Sequence, residues 1–470
     1  MSRSSRLKII YRLLLGISIL VIVFLSLIYS TPYLSSMKIP PIINFIIGTT
    51  LSLLFIAYIE HEVYHREFSS VRDALLRSRV VNTITLFSVL LTAELSTLIF
   101  LSLYYLRGLP LVCFLGVVAA YFVLSMLVDD ALIYAYVRGF GSRVGRSVVV
   151  RLISDGKYNG FAMSTLYHDF VIVMHPERYD VGAVDLINAH EGRHAMYKHA
   201  LVLGAVLFLG VSLLVYFGVR GFSMVWAGVP LLAVLLLVLA RSLELHADRA
   251  AYERLGPRSL DYFRVVLGSL FGVDDARRAP IRSRVTHPGR RDLVLLRGDV
   301  IGAYAPWEFP LLASLFAGFL VVAPVHYLPG AYLGLVLLVY VGVVIGSFLL
   351  TILLGVVFRP VIKLFSGDLS NESVVNLSMM GASVFTVVFA AFHALYLVYH
   401  VWLYLNITAA LVSFLILSLV SWLALRSVGR AFVVAVVLTV IFIALNFLLY
   451  SMLFLVHAYC MHVLFRGVLF

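Results

Sequence analysis

The chain has 470 residues, 62% of them hydrophobic and only 13% charged, with a formal net charge of +12. Soluble proteins average roughly 45–50% apolar and about 25% charged residues, so this composition excludes an ordinary soluble domain and points to lipid as a solvent. The basic excess does not call for nucleic acid, because the arginines and lysines gather in loops between apolar runs. The two cysteines, Cys113 and Cys460, lie in or beside such runs and make neither a disulfide framework nor a thiolate metal site.

Apolar runs of about 20 residues, enough to cross a bilayer, recur along almost the whole length. Eleven are expected, at roughly 9–30, 41–60, 84–106, 110–137, 200–219, 223–243, 309–326, 330–356, 374–398, 404–425 and 431–456. The first is too long for the core of a signal peptide and has no small-residue cleavage site, so it reads as a retained anchor. Basic residues fall in every second loop: Arg3, Arg6 and Lys8; Arg66, Arg72, Arg77 and Arg79; Arg138 through Lys157; Arg241 through Arg291; Arg359 and Lys363; Arg426 and Arg430. The positive-inside rule then places the N-terminus in the cytoplasm and the C-terminus outside. The expectation is an all-α polytopic protein of the cell membrane with about eleven transmembrane helices and a small cytoplasmic α+β domain. Residues 1–137 form a four-span region, 138–305 a core containing a hydrophobic hairpin at about 200–243, and 306–470 a five-span region whose role the sequence does not state.

Two stretches, roughly 138–199 and 244–305, are too polar for lipid, and both fall on the cytoplasmic side of that topology. Asn159–Thr165 and Asp169–Met174 are rich in strand-favouring residues around a Leu166-Tyr167-His168 turn, which predicts a short β-hairpin. Helical spacing begins at about Gly182, with Val184, Ile187, Ala189 and Ala195 on one side. The helix of the sixth span continues through Ala251 and stops near Gly256-Pro257.

The chemistry sits where these stretches meet. His190-Glu191-Gly192-Arg193-His194 puts two imidazoles four residues apart on one helical face, with Glu191 turned toward the same pocket. Glu244 supplies a third ligand of the kind zinc accepts, leaving one position for water. Asp248, one turn further, is placed to accept a hydrogen bond from a ligand histidine; pairing with Arg249 or Lys198 is the plainer alternative. His246 should point off the Glu244 face, and neither it nor His199 belongs to the expected site. A second copy of the motif, His61-Glu62-Val63-Tyr64-His65, lacks a downstream acidic partner and reads as a polar helix end at the membrane interface, with a second metal as the alternative. Glu94, Asp129 and Asp130 are costly within spans and should face other helices or water.

These residues resemble the membrane zinc metalloproteases of the HtpX and type I CAAX prenyl protease family. The resemblance covers roughly residues 138–295. It rests on His190-Glu191-x-x-His194, the hydrophobic hairpin, Arg241-Ser242-x-Glu244-x-x-Ala247-Asp248-x-x-Ala251, Asn159-Gly160-Phe161-Ala162 before the zinc helix, Asp185, and His287-Pro288. Gly192-Arg193 reverses the family's usual order of bulky and small residues, and Arg290 and Arg291 arrive earlier than its arginine. The resemblance implies one Zn²⁺ per chain bound by His190, His194 and Glu244, Glu191 as general base, and His287 as donor to the developing oxyanion. It also implies that Asn159, Gly160, Phe161 and Ala162 hold an extended substrate as an added strand. The expected function is zinc-dependent endopeptidase action on membrane proteins or their cytoplasmic segments, without nucleic acid. Its rivals are an intramembrane-cleaving protease, and a transporter or receptor with a structural or inactive zinc centre.

Overall fold

The computed structural model describes residues 69–220, 227–279, 287, 289–322, 333–365, 367, 369–399, 402–425, 427–441 and 443–444. The chain divides into two units, Met1–Phe222 with Leu236–Val300 and Ser223–Leu235 with Ile301–Phe470.

In the first unit Ser70 caps helix α1 (Val71–Tyr104) by accepting the Asp73 N–H, and Pro110, with its fixed φ, leads into α2 (Leu111–Val137). Four strands follow: β1 (Ser142–Val144), β2 (Ser147–Ile153), β3 (Asn159–Ser164) and β4 (Asp169–His175). Their order in the sheet is β1-β2-β4-β3. β2 and β4 run parallel from Ser147↔Asp169 to Ile153↔His175, whereas β3 pairs antiparallel with β4.

All seven residues of β4 are buried, which accounts for its unbroken apolar run: a strand covered on both faces has no need to alternate. Phe170, Ile172 and Met174 pack with Val80, Val81 and Ile133 of α1 and α2. Val171 and Val173 face the other way, into a cluster with Val184 and Ile187 of α3 (Val181–Met196) and Phe263 and Leu267 of α6 (Ser259–Phe271). Between α3 and α6 come the long helices α4 (His199–Val219) and α5 (Gly228–Leu255); α5 stops at Gly256-Pro257, where the sequence places its end. A short helix, α7 (Arg291–Arg297), closes the unit.

The predicted β-hairpin is therefore only half of a four-stranded mixed sheet. Val148, Val150 and Leu152 of β2 alternate into the core, but Arg143, Arg146 and Arg151 give the stretch the look of a basic loop. Its partner, β4, lies beyond an intervening strand, so no local turn signal announces the pairing.

The β3–β4 turn is tied to α2 through Asp130. Its carboxylate accepts from Thr165 Oγ1, from the backbone N–H of Tyr167 (3.0 Å) and of His168 (2.9 Å), and pairs with His168 Nδ1 at 2.9 Å. The His168 ring stacks on Tyr134 with centroids 3.6 Å apart. Asp130 is thus spent on holding a turn.

The second unit contains α8 (Glu308–Val322), α9 (Leu333–Phe365), α10 (Asn371–Tyr399), α11 (Trp402–Leu425) and α12 (Val428–Ile441). Phe358, Leu377, Phe385, Leu417 and Leu438 form its core. Some buried polar groups there are bonded within the unit: Asn376 Nδ2 donates to the carbonyls of Ile301 and Tyr304, and the Thr351 and Thr386 hydroxyls lie 2.7 Å apart.

Five helical stretches among the described residues are long and apolar enough to cross a membrane: Leu111–Val137, His199–Gly218, Gly228–Phe271 (α5 continued into α6), Gly334–Phe365 and Asn371–Ala391. The runs expected at 309–326, 404–425 and 431–456 correspond to shorter apolar helices, Glu308–Val322, Thr408–Trp422 and Val428–Ile441. The run at 84–106 falls within α1, and those at 9–30 and 41–60 lie outside the described residues. The helices give the chain the character of a membrane protein, with five clear candidates among the described residues against the eleven spans expected of the whole chain.

Replacing Asp130 by Ala strands several donors at once. Each unsatisfied buried group costs roughly 1–3 kcal/mol, so Asp130→Ala is expected to lower the thermal unfolding midpoint in detergent by several degrees. The exposed Asp261→Ala serves as the control with no measurable shift.

Candidate metal centre

Helix α3 begins at Asp180, whose carboxylate accepts the Ala183 N–H at 3.0 Å. Its apolar side lies on the sheet, so the last two turns carry His190 and His194 away from the core. Residues four apart share a face, and the two Nε2 atoms stand 3.2 Å apart. Glu244 of α5 completes the group: Oε2 is 3.4 Å from His190 Nε2, and Oε1 is 3.5 Å from His194 Nε2. These three residues form a set that can hold a metal ion.

Three observations test the fit. A tetrahedral zinc site with bonds of roughly 2.0–2.1 Å separates its ligand atoms by roughly 3.3–3.4 Å, close to the three distances found. Both Nδ1 atoms are committed elsewhere, His190 Nδ1 to Asp248 Oδ1 at 3.0 Å and His194 Nδ1 to His199 Nδ1 at 2.8 Å. With both Nδ1 atoms engaged, the two Nε2 atoms face one another and Glu244, a place where a cation can be held. Finally, Glu244 Oε2 is buried and faces ring nitrogens, His190 Nε2 at 3.4 Å and His287 Nε2 at 3.2 Å. The residues fit a bound zinc ion.

Asp248 is fixed from behind. Arg291 of α7 donates Nε to Asp248 Oδ2 at 2.5 Å and Nη2 to Oδ1, and its guanidinium sits 4.6 Å over the Phe263 ring. α7 is held in turn by Arg249, whose Nη1 donates to the Gly298 carbonyl at 2.6 Å. Gly298 ends α7 at φ +65, and a Cβ there would meet Arg249 and Tyr252. Asp248 thus joins His190 to Arg291, while Arg249 pairs with Glu253 and Lys198 with Asp169. Asp185 lies at the surface against Arg254.

The centre opens into a cavity of about 650 Å³. It is lined by β3, with Asn159, Gly160, Phe161 and Ala162, and by the apolar face of α6, with Phe263, Val266, Leu267, Leu270 and Phe271. β3 ends the sheet, so its outer edge is a template for a further strand. Gly160 sits directly against α3: a Cβ there would come within 2.6 Å of Glu191 Cγ and 2.7 Å of Ile187 Cγ2. Only glycine lets strand and helix approach this closely. His287 reaches the same cavity, with Nε2 3.2 Å from Glu244 Oε2.

The electrostatics suit a cation. Burial opposes charge on His190, but its hydrogen bonds to Asp248 and Glu244 outweigh this and hold the imidazole up to about 10. Burial, aided by the neighbouring His190, pushes His194 down to about 3, so that ring stays neutral. Desolvation in the cavity wall raises the Glu191 carboxyl to about 7, with the His190 charge working against it.

All the expected site residues meet around one cavity: His190, His194 and Glu244 at the centre, Asp248 behind it, and Glu191, His287 and Asn159–Ala162 along its walls. His61–His65 lies outside the described residues. His199 departs from expectation. It touches His194 directly and also lies 3.0 Å, through Nε2, from His246 Nδ1. The one signal for it in the sequence is a third imidazole five residues past His194. The chain matches no family model, no curated protein and no solved structure.

Purified full-length protein is expected to carry one zinc per chain by elemental analysis. Glu244→Ala should lose it, whereas Glu191→Gln, which alters no ligand, should keep it. Asp248→Asn should weaken zinc binding by about 10–100-fold, the usual effect of losing the partner of a ligand histidine.

Proposed function

We propose that this chain is an integral-membrane, zinc-dependent endopeptidase acting on membrane proteins or their cytoplasmic segments. One juxtaposition carries the reading: a carboxylate that is not a ligand, Glu191, lies between the two-histidine, one-glutamate group and an edge strand, all on one cavity. Structural zinc sites are closed, and catalytic ones keep a position open. A centre that faces a cavity of about 650 Å³ favours the second kind.

A zinc ion held by His190, His194 and Glu244 supplies Lewis acidity, polarising a carbonyl and making water a stronger acid. The remaining work falls to the chain itself. An extended peptide pairs with the free edge of β3, which lays its backbone across the cavity. Glu191 takes the proton of the attacking water and passes it to the departing amine, and a carboxyl raised toward neutrality suits both transfers. His287, at the cavity mouth beside Glu244, is placed to donate to the oxygen that gains charge. Asp248 and Arg291 keep His190 turned with Nε2 inward. By the positive-inside rule, the basic loops around this unit favour a cytoplasmic site.

The direct test is cleavage of an unfolded membrane-protein segment by the full chain in detergent. Glu191→Gln is expected to retain zinc and lose about 10²–10⁴-fold in rate, the usual worth of a general base. Undiminished hydrolysis in that variant would rule the mechanism out, and tightly bound zinc with no hydrolysis by the unaltered chain would favour a structural centre. Gly160→Val, which drives a side chain into Glu191, should also abolish cleavage while leaving zinc content intact.

A further inference from the structure

Three imidazoles stand in line behind the centre. His194 Nδ1 meets His199 Nδ1 at 2.8 Å, and His199 Nε2 meets His246 Nδ1 at 3.0 Å. His199 uses opposite ring nitrogens for its two neighbours, so the three cannot chelate one ion; they form a series. His199 is buried, with 3% of its surface exposed, and His246 at the outer end is half-buried.

A neutral imidazole carries one proton, so each ring donates from one nitrogen and accepts at the other. If His194 gives its Nε2 lone pair to a metal, its proton must sit on Nδ1 and point at His199. His199 then accepts at Nδ1 and donates from Nε2 to His246, whose proton lies on the outward nitrogen. One assignment satisfies every contact in the line, and the metal end sets it. On the other ligand, the Asp248 carboxylate accepts from His190 Nδ1. The centre thus has an ionic support for one histidine and an imidazole support for the other.

The backbone is shaped to place His199 there. Lys198, between α3 and α4, has φ +55, the one non-glycine residue with positive φ among the described residues. This left-handed turn is strained for a residue that carries a side chain. It is held by Lys198 Nζ, which pairs with Asp169 at 2.8 Å. It swings α4 away from α3 so that its first residue comes back onto the ring five positions earlier. Strain kept at this spot is what a positioning role calls for.

We infer that His199 is a positioning residue of the metal centre: its Nδ1 accepts the Nδ1–H of His194 and, backed by His246, holds that ring with Nε2 toward Glu244. The inference rests on the reading of His190, His194 and Glu244 as metal ligands, and not on hydrolysis. The test is the zinc dissociation constant of the full chain in detergent, by competition with a chromogenic chelator. In His199→Asn the amide oxygen stands where Nδ1 stood and can still accept from His194. In His199→Gln the amide reaches the Nε2 position and leaves the acceptor place empty. Asn is expected to bind zinc nearly as tightly as the unaltered protein, and Gln about 10–100-fold more weakly. The thermal midpoints of the metal-free forms should coincide, which separates lost orientation from lost folding. Wild-type affinity in the Gln variant would overturn the inference, as would equal weakening in both variants, the mark of simple packing. If the unaltered chain binds no zinc, the ligand reading falls and this inference with it; if only the His199 variants fail to behave as stated, the ligand reading stands.

Discussion

Two imidazole nitrogens aimed at each other across 3.2 Å, with the two oxygens of one carboxylate beside them, form an arrangement that positive charge between them stabilises. Much of the first unit holds it in place. α3 is seated on the sheet by Val184 and Ile187 and carries the histidines; α5 brings Glu244 and Asp248 from more than fifty residues away. α7 contributes Arg291, which neutralises Asp248 and prevents its charge from being buried alone. Removing one partner of a buried charge pair leaves the other uncompensated, which costs far more than the pair contributes. Asp248 and Arg291 therefore act as a unit with His190.

The sheet has two jobs. β4, buried on both faces, anchors the unit between the α1–α2 pair and the α3–α6 side. β3, at the sheet edge, stays open and becomes a wall of the cavity. An unpaired edge is normally a liability that proteins cover; here it borders the cavity of the candidate centre. Gly160 is where the two jobs meet, since any side chain there would separate β3 from Glu191. The apolar face of α6 gives the same cavity a hydrophobic lining.

In the second unit the buried polar groups Asn376 and the Thr351–Thr386 pair bond within the unit. Its apolar helices are those of a membrane body.

The sequence by itself determined the elements governed by local periodicity and local chemistry. The apolar runs, the start of α3 near Gly182, the stop at Gly256-Pro257 and the β3–β4 hairpin follow from spacing and turn residues between near neighbours. The pairing of His190 with His194 is a property of any helix, and Glu244 with Asp248 is legible for the same reason. Tertiary structure alone decided the rest, because those contacts join residues whose chain separation carries no periodic signal. β2 finds β4 across an intervening strand, Arg291 rather than Arg249 or Lys198 takes Asp248, and Asp130 captures a turn. His199 returns to His194 through a left-handed turn at Lys198, a residue type that gives no warning of such a conformation, and the strain is offset by an ion pair visible only once the chain has folded.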